Sequence, residues 1–564
     1  MLVLIASFAG ASAERADAQH PLTLLPLDDP AYVQLDVLER LGCSEARVSA
    51  FRPFMVRDVR IAVRAAATDP SCPALLVDAL QRRFLPDTAK IIAVKATEIA
   101  SRELVREFPT LSSDSSRPTP SDSARFDPAR VGLNAGAEGT IRLTGLGNGE
   151  YLPLWRDVRP VDEGDPPAVA IARGRLRWSG GPKFLAVSEL YVQSSRQNDP
   201  TVRAKTVRQS SGLLDIGEAY ANGSIGPIDL SFGRSAEAWL GQGRESFSVS
   251  AVAPLLDRLW LSGRWQKVQV RFIAALLDDD VLTAQQDSVA VGPEGARFSR
   301  GFVGHSLSWL PTSSFSLTLG ETMLFSRRGS PVDLAYLNPL APIIVAQNDT
   351  GRTTASHDNL TVFGGARFSR GGVQLNSELF VDDIQVDAAD RSRTASQLGW
   401  LVGASLGLPT TQPTIVSAQY RRVSSFTYER PFYSEVYQYY NAPLGSELGP
   451  DADRLDAEVS HLPNGLLRLA AGVSLWRHGA TRIDRRPSEG PNDHAGVSFP
   501  SVRDSLPVVQ RAFLWHLTAQ VLSGTVPITA SVEAANITNV NNQPSAAALY
   551  LRALLVGTYA FRFP

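Results

Sequence analysis

One segment of this chain is rich in tyrosine. Five of its 13 tyrosines lie between Tyr428 and Tyr440. A tyrosine ring offers a flat apolar face and a hydroxyl, the combination that stacks on a sugar ring and hydrogen-bonds its edge. We therefore predict a glycan-binding extracellular loop, and the sequence leaves open the alternative of a segment folded inward and packed on itself. The predicted glycan contacts are Tyr428, Phe432, Tyr433, Tyr437, Tyr439 and Tyr440.

The other reactive side chains form no catalytic or metal-binding group. The seven histidines are scattered, with no H-E-x-x-H motif and no Cys–His grouping. His305 and Ser306 are adjacent, so on a strand they point to opposite faces and cannot act together as base and nucleophile. Asp382 and Asp383 have no partner motif to fix a substrate, which favours a structural or loop-pinning role. The sequence therefore predicts a protein that is not an enzyme and needs no metal or cofactor.

The N-terminus has the pattern of a secretory signal peptide. The run MLVLIASFAGASA joins a short apolar region to small residues suited to cleavage. Residues 1–18 are therefore predicted to be removed on export, the alternative being a buried N-terminal helix. Export places Cys43 and Cys72, the only cysteines, in an oxidising compartment. We predict a disulfide between them, although two buried unpaired thiols are also compatible with the sequence.

Residues 19–108 carry the period of helices. Apolar residues recur every three positions from Tyr32 to Leu41, and Gly42 is placed to end that helix. Pro53 is expected in the first turn of a second helix, with two more helices after it. These residues are predicted to form a small helical domain. Residues 109–130 are dominated by Ser, Pro and Asp, a composition typical of a flexible linker.

From residue 131 onward the period becomes that of strands, as a hairpin between Asp358 and Asp383 shows. Apolar and polar residues alternate in both arms, and the pair Gly371-Gly372 suits a tight turn with positive φ. Each arm has roughly 12 residues, longer than the ~5–6 of an ordinary strand. That length is close to the ~9–11 residues of a tilted strand that crosses a bilayer.

The connections between strands sort into two kinds. About 18 amphipathic strands are predicted, and short turns such as Pro463-Asn464-Gly465 alternate with long loops such as Ser326 to His357. Short periplasmic turns and long extracellular loops are typical of outer-membrane barrels. We therefore predict an all-β transmembrane barrel of about 18 antiparallel strands over residues 131–564, preceded by a small α-helical periplasmic domain. An even strand number puts both barrel ends in the periplasm.

Composition is compatible with this barrel and excludes other classes. The mean hydropathy of -0.07 fits strands whose apolar and polar faces average out. A net charge of -2 without a basic run argues against nucleic-acid binding. A soluble sandwich or propeller would have shorter strands and unsorted loops.

Mixed charges facing the lumen are expected to pair with one another. The predicted lumen-facing residues are Arg271, Gln374, Asn376, Glu378, Asp382, Gln419, Arg421, Arg468, Glu533 and Arg552.

The middle of the chain also resembles a known family. The run SRGFVGHSLSWLPTSSFSLTLGETMLFSRRG, followed by DLAYLNPL, DNLTVFGGARF and ELFVDD, is similar to the capsule-assembly outer-membrane proteins of the Wzi family. The segments AYVQLDVLERLG and RPFMVRDVRIAV resemble the helical region that precedes the barrel in that family. The resemblance implies a monomeric barrel with a periplasmic helical bundle. It also implies a lectin-like anchor that ties exported polysaccharide to the cell surface.

Two functions are therefore compatible with the sequence. The first is surface-polysaccharide binding in the cell outer membrane, with polysaccharide, membrane lipids and the barrel-insertion machinery as partners. The second is a porin-like channel or transporter for small polar solutes or sugars. A barrel of this size has room for a lumen unless loops or the N-terminal domain fill it. The state of the lumen therefore discriminates between the two functions.

Overall fold

The structure is a computed structural model that describes most of the chain. The predicted signal peptide, the helix predicted within 91–108 and the linker at 109–130 lie outside the described residues. The described residues are 20–43, 51–85, 131–146, 168–193, 214–240, 246–278, 280–281, 297–328, 333–347, 357–383, 396–408, 410, 412–430, 435–439, 442–479, 481, 483, 509–523 and 526–562.

In the part of the chain that the structure describes, three helices precede the barrel. They are α1 (Ala31–Arg40), α2 (Val56–Thr68) and α3 (Ala74–Phe84). Helix α1 ends near Gly42, whose φ of 99° is one that glycine adopts without strain. Helix α2 begins at Val56, so the prediction that Pro53 lies in its first turn is wrong. The reason is that Phe51–Arg52, just before Pro53, are extended and pair with Ala238–Trp239 inside the barrel.

Eighteen antiparallel strands of the described chain form a closed ring. Each strand pairs with two neighbours and the first pairs with the last, which confirms the predicted barrel. The two-residue strand Asp280–Val281 pairs beside this ring. The strands are β1 (Val131–Leu146), β2 (Ala168–Gly180), β3 (Phe184–Gln193), β4 (Leu214–Ile225), β5 (Ile228–Ser235), β6 (Leu256–Trp265), β7 (Val268–Leu276), β8 (Arg297–Thr312), β9 (Phe315–Arg328), β10 (His357–Arg370), β11 (Val373–Asp383), β12 (Gln397–Leu408), β13 (Thr414–Val423), β14 (Ala452–Asn464), β15 (Leu467–His478), β16 (Gln510–Val521), β17 (Ile528–Thr538) and β18 (Ala547–Arg562).

The barrel is apolar outside and polar inside. On β11, the side chains of Val373, Leu375 and Leu379 are exposed, whereas those of Gln374 and Glu378 are buried in the lumen. This arrangement is the reverse of a soluble protein and suits a lipid-facing wall. Exposed aromatic side chains near the short-turn end fit the membrane interface, where aromatic residues are enriched. They are Trp178, Trp265, Trp309, Phe368 and Tyr559.

The helical domain docks on the short-turn end of the barrel. Nε2 of Gln34 donates a 2.8 Å hydrogen bond to the carbonyl oxygen of Gly465, and Nε2 of His20 lies 2.8 Å from that of Gly181. Gly42 lies so close to the Gly371-Gly372 turn that a Cβ on it would come within 2.9 Å of the amide nitrogen of Gly372. The helical domain and the short turns therefore lie at the same end of the barrel, the end that the sequence predicts to face the periplasm.

A disulfide joins Cys43 to Cys72 within the helical domain. Their Cα atoms are 5.4 Å apart, and both side chains pack in the apolar core that α1, α2 and α3 share. The bridge ties the segment after α1 to the segment before α3.

Replacing both cysteines with serine is expected to lower the free energy of unfolding of the helical domain by about 3 kcal/mol, because the bridge closes a long loop in the unfolded chain. Denaturant titration followed by the helical circular-dichroism signal measures this loss, since the barrel contributes little helix. The heat-dependent gel mobility of the barrel should not change. Two free thiols in the unfolded, non-reduced wild-type protein would contradict the bridge.

Candidate functional site

The described parts of the connection from β5 to β6, residues 236–240 and 246–255, fold into the lumen. Trp239 is fully buried there, and its ring centroid lies 5.6 Å from that of Phe51 in the N-terminal domain and 5.7 Å from that of Phe363 in the wall. Gly304 on β8 leaves space for the indole, because a Cβ at this position would lie 2.8 Å from the ring. This connection, entering from the long-loop side, therefore meets the N-terminal segment inside the barrel.

A buried charged cluster holds Trp239 in place. Oε1 of Glu237 accepts hydrogen bonds from Nε1 of Trp239 at 2.9 Å and from Nη1 of Arg271 at 2.5 Å. Its Oε2 lies 3.2 Å from Nε of Arg258. The three charged side chains are almost inaccessible to water. Each buried charge therefore depends on its partners, since an unpaired one would be strongly destabilising.

The described parts of the connection from β13 to β14, residues 424–430, 435–439 and 442–451, form a second inward segment. The rings of Tyr428 and Tyr437 stack with centroids 5.5 Å apart and planes 19° apart. Oη of Tyr428 donates a 2.8 Å hydrogen bond to the carbonyl oxygen of Phe247, and Oη of Tyr437 donates an equally short one to that of Ser248. The two inward connections therefore pack directly on each other.

Charged side chains of the wall anchor both segments. Nη2 of Arg300 donates to the carbonyl oxygens of Val436 and Gln438 at 2.8 and 2.9 Å. Oε1 of Glu378 accepts a 2.7 Å hydrogen bond from the amide of Phe247. These bonds join strands β8 and β11 to the plug, by which we mean residues 236–240, 246–255, 424–430, 435–439 and 442–451 together.

Asp382 fixes the start of the second segment. Its Oδ2 accepts a 2.8 Å hydrogen bond from the amide of Tyr428, and its Oδ1 lies 2.9 Å from Nη2 of Arg430. Both partners belong to the plug. The structure therefore gives Asp382 the loop-pinning contacts that the sequence favoured over acid–base chemistry.

The structure separates the predicted glycan contacts into two groups. Tyr428, Tyr437 and Tyr439 are at most 1% exposed, so the prediction that they lie on an exposed loop is wrong. The alternative of an inward-folded segment describes them, because their rings fill the space between two connections and the wall. Phe432, Tyr433 and Tyr440 lie outside the described residues.

Burial also disfavours ionisation of these phenols. It raises the pKa of Tyr428, Tyr437 and Tyr439 above the usual value of about 10. The three side chains therefore remain neutral at physiological pH. Neutral phenols donate hydrogen bonds, as Tyr428 and Tyr437 do to the carbonyl oxygens of the neighbouring connection.

Ion pairs line the lumen on β13 to β18, as the mixed charges predicted. Nη2 of Arg421 lies 2.6 Å from Oδ2 of Asp456, and Nη2 of Arg468 lies 2.6 Å from Oε1 of Glu458. The guanidinium of Arg552 is 3.8 Å from Glu533. With the pairing of Arg271 to Glu237, the predicted internal neutralisation is confirmed at these positions.

The described residues bring together neither His305 with Ser306 nor a set of metal ligands. Ser306 is buried on the lumen side, whereas His305 lies on the outer face beside Glu321, at 3.3 Å, so the two do not meet. Over the ranges given above, no three His, Cys, Asp or Glu residues converge on a point that could hold a metal. No helix in those ranges is long and apolar enough to span a membrane.

The helical domain carries a charge pair that makes its stability depend on pH. Nη2 of Arg52 donates to both carboxylate oxygens of Asp36 at 2.7 and 2.9 Å. Burial alone would raise the pKa of Asp36, but the positive charges of Arg52, Arg40 and Arg367 outweigh it and leave the pKa below its usual value.

We expect this pair to stabilise the domain fully above the unfolded-state pKa of about 4. The stabilisation should be lost as pH falls through the depressed folded-state pKa. Denaturant midpoints of the helical signal, compared between pH 7 and pH 3 for the wild type and Asp36→Asn, measure this contribution. The wild type should lose more stability than the variant, and equal losses would contradict the assignment.

A known protein family shares the sequence pattern of this chain. The sequence pattern that defines the family described as capsule assembly protein Wzi matches residues 172–475, more than half of the chain. The chain belongs to the Wzi capsule assembly family. No curated protein sequence matches the chain.

The solved structure of one family member has a fold similar to that of this Wzi-family chain. It is similar to Wzi of Escherichia coli, described as an outer-membrane protein involved in group 1 capsule assembly and a carbohydrate-binding β-barrel. The TM-score is 0.55 at 11% sequence identity, covering 95% of this chain and 99% of that one. OprD of Pseudomonas aeruginosa matches with a TM-score of 0.42 at 10% identity, covering 78% of this chain and 97% of that one. The Wzi-family chain is thus an outer-membrane barrel with a polysaccharide-related role.

Proposed function

We propose that this chain is a lectin-like anchor that holds capsule or exopolysaccharide at the cell surface. The plugged lumen is the observation that most supports this function. A channel needs a continuous aqueous path, whereas here the described parts of two connections and the N-terminal segment pack together inside the barrel through apolar contacts and buried ion pairs. Membership of a capsule assembly family supports polysaccharide as the bound molecule.

The proposed glycan contacts come from the connection between β13 and β14. Phe432, Tyr433 and Tyr440 belong to the same connection as the buried Tyr428 and Tyr437, which hold that connection against the wall. Each stacked aromatic ring would contribute about 1 kcal/mol. Weak contacts repeated along a polymer add through avidity, so no deep pocket is required. The closed ring leaves no strand edge for pairing with another copy, which supports a monomer.

The test is the ratio of cell-bound to shed polysaccharide in a strain that lacks the gene. The wild-type chain should restore retention, and Tyr433→Ala combined with Tyr440→Ala should lower it several-fold at equal barrel content in the outer membrane. Phe513→Ala, which removes an exposed aromatic ring from the lipid-facing wall, is the matched control and should retain polymer. Full retention by the double variant would reject these contacts.

Conductance separates the anchor from the porin-like alternative. Purified protein in planar bilayers should show no large steady conductance, because the plug is tied to the wall by Arg300, Glu378 and Asp382. A stable open channel in the wild-type protein, together with unchanged polymer retention in the deletion strain, would favour solute transport instead.

A further inference from the structure

Residues 333–347, which we call the flap, lie on the outside of the barrel between β9 and β10. Val303 and Met323 occupy outward positions, in line with the exposed Leu307 and Leu319 on the same strands. Both are nevertheless at most 1% exposed, because they pack with Tyr336 and Ile343 of the flap. The flap therefore covers the outer wall rather than the lumen.

Polar contacts fix the upper part of the flap to the extracellular rim. Nη2 of Arg327 lies 3.0 Å from Oδ2 of Asp333, and its Nη1 lies 2.6 Å from Oδ1 of Asp358. Oη of Tyr336 donates a 2.6 Å hydrogen bond to Oδ2 of Asp358. These charges lie at the end of the strands, where lipid headgroups begin.

A second contact fixes the flap much deeper. Oε1 of Glu321 accepts a 2.6 Å hydrogen bond from the amide of Ile343, and Oε2 accepts a 3.1 Å bond from that of Ile344. Leu317 pairs with Trp309 of the periplasmic aromatic band. Glu321 is four residues further along β9, so its carboxylate lies about 10 Å above that band. This depth is inside the apolar zone of about 25 Å that such barrels present to lipid.

The outward carboxylate explains why the flap must reach this depth. An uncovered Glu321 would face hydrocarbon without hydrogen-bond partners, which is strongly unfavourable. The flap supplies two amide donors, and His305 lies 3.3 Å away on the other side. Covering this pair brings the short helix α4 (Ile343–Gln347) down to the membrane-embedded part of the wall.

The opposite side of the flap is apolar and uncovered. Leu340 is 91% exposed and Leu334 80% exposed, and Ile344 and Val345 are also exposed. Four large aliphatic side chains in one short segment form a patch of the kind that marks an interaction surface. Leu319 is also exposed and lies two residues before Glu321 on the same face of β9, so the lipid-facing wall reaches the residue that binds the amides of Ile343 and Ile344.

We propose that the flap is seated in the outer leaflet of the membrane, with Leu334, Leu340, Ile344 and Val345 in contact with lipid acyl chains. Continuity with the lipid-facing wall and the depth of the Glu321 contact both select acyl chains as the occupant. The flap extends the hydrophobic surface of the barrel sideways on the extracellular half, as interfacial segments with apolar and polar faces do. The polar contacts at Asp333 lie where the flap leaves the acyl chains and enters the headgroup region.

Depth-dependent quenching tests this placement in the full-length protein reconstituted in phospholipid vesicles. Single-cysteine variants Leu340→Cys and Val345→Cys carry an environment-sensitive fluorophore, and Cys43 and Cys72 remain joined. Leu319→Cys serves as the lipid-facing control and Ser545→Cys as the water-exposed control. Doxyl-labelled lipids should quench positions 340 and 345 as strongly as 319, and several-fold more than 545. Aqueous iodide should show the reverse order.

Two outcomes would overturn the proposal. Iodide quenching of positions 340 and 345 to the level of 545 would place the flap in water. Protection from both quenchers, with crosslinking between copies at position 340, would make the occupant a second copy. The variant Glu321→Ala should shift the label at 345 toward iodide while leaving the label at 319 unchanged, and a label that stays in lipid would reject the role of Glu321.

Discussion

Glu237→Ala is expected to destabilise the plug by about 3–5 kcal/mol, the typical cost of removing one partner from a buried charge group. The change leaves Arg258 and Arg271 buried without their shared carboxylate and removes the acceptor of the Trp239 indole. Hydrogen exchange of the amides in residues 236–240 and 246–255 measures the effect, because local opening governs their exchange rates. We expect these amides to exchange at least a hundredfold faster than in the wild-type protein.

A compensated variant makes this prediction specific. Replacing Glu237, Arg258 and Arg271 together with apolar residues of similar volume removes all three charges, and such replacements are often neutral or stabilising. The triple variant should therefore recover most of the protection that Glu237→Ala loses. Unchanged exchange in Glu237→Ala would show that the charged cluster does not hold the plug.

Tyr437→Ala has the second large expected effect and discriminates packing from direct glycan contact. It deletes a buried ring that stacks on Tyr428 and leaves the carbonyl oxygen of Ser248 without its donor. Loss of a large aromatic side chain from a core costs about 3–5 kcal/mol. Exchange of residues 435–439 and 246–255 should rise strongly, and polymer retention should fall because the connection loses its position.

Tyr437→Phe is the matched control for this prediction. It keeps the ring and removes only the hydroxyl bonds to Ser248 and Thr322, so we expect a smaller loss of about 1–3 kcal/mol. Retention should follow plug order across the two variants. If either variant lost polysaccharide binding while its exchange stayed at the wild-type level, Tyr437 would act as a direct contact and the packing assignment would be wrong.

The barrel itself could be predicted from the sequence because its signals are local. The Gly371-Gly372 turn takes the positive φ angles expected of it, and alternation on β11 places Leu375 outside and Gln374 inside. Strand pairing between neighbours in sequence needs only this period and the turn. The same local patterns indicate the ends of α1, where Gly42 stops the helix.

The plug and the flap depend on contacts between residues far apart in the chain. Nothing near Tyr437 in sequence shows that Ser248 accepts its hydroxyl, so an aromatic loop on the surface and one folded inward have the same pattern. The sequence around Trp239 does not indicate that this residue pairs with the segment before Pro53. The one local sign of the flap was Glu321, a carboxylate at an outward position of β9, which requires a cover in a lipid-facing wall.

Direct binding of polymer to the purified protein tests the central claim most directly. The probe is the polysaccharide shed by the strain that lacks the gene, fractionated by length and titrated against full-length protein in lipid nanodiscs. A lectin-like anchor predicts saturable binding whose affinity rises with polymer length, as repeated weak contacts require. Absence of binding at every length, with the barrel folded and the plug protected from exchange, would contradict the account.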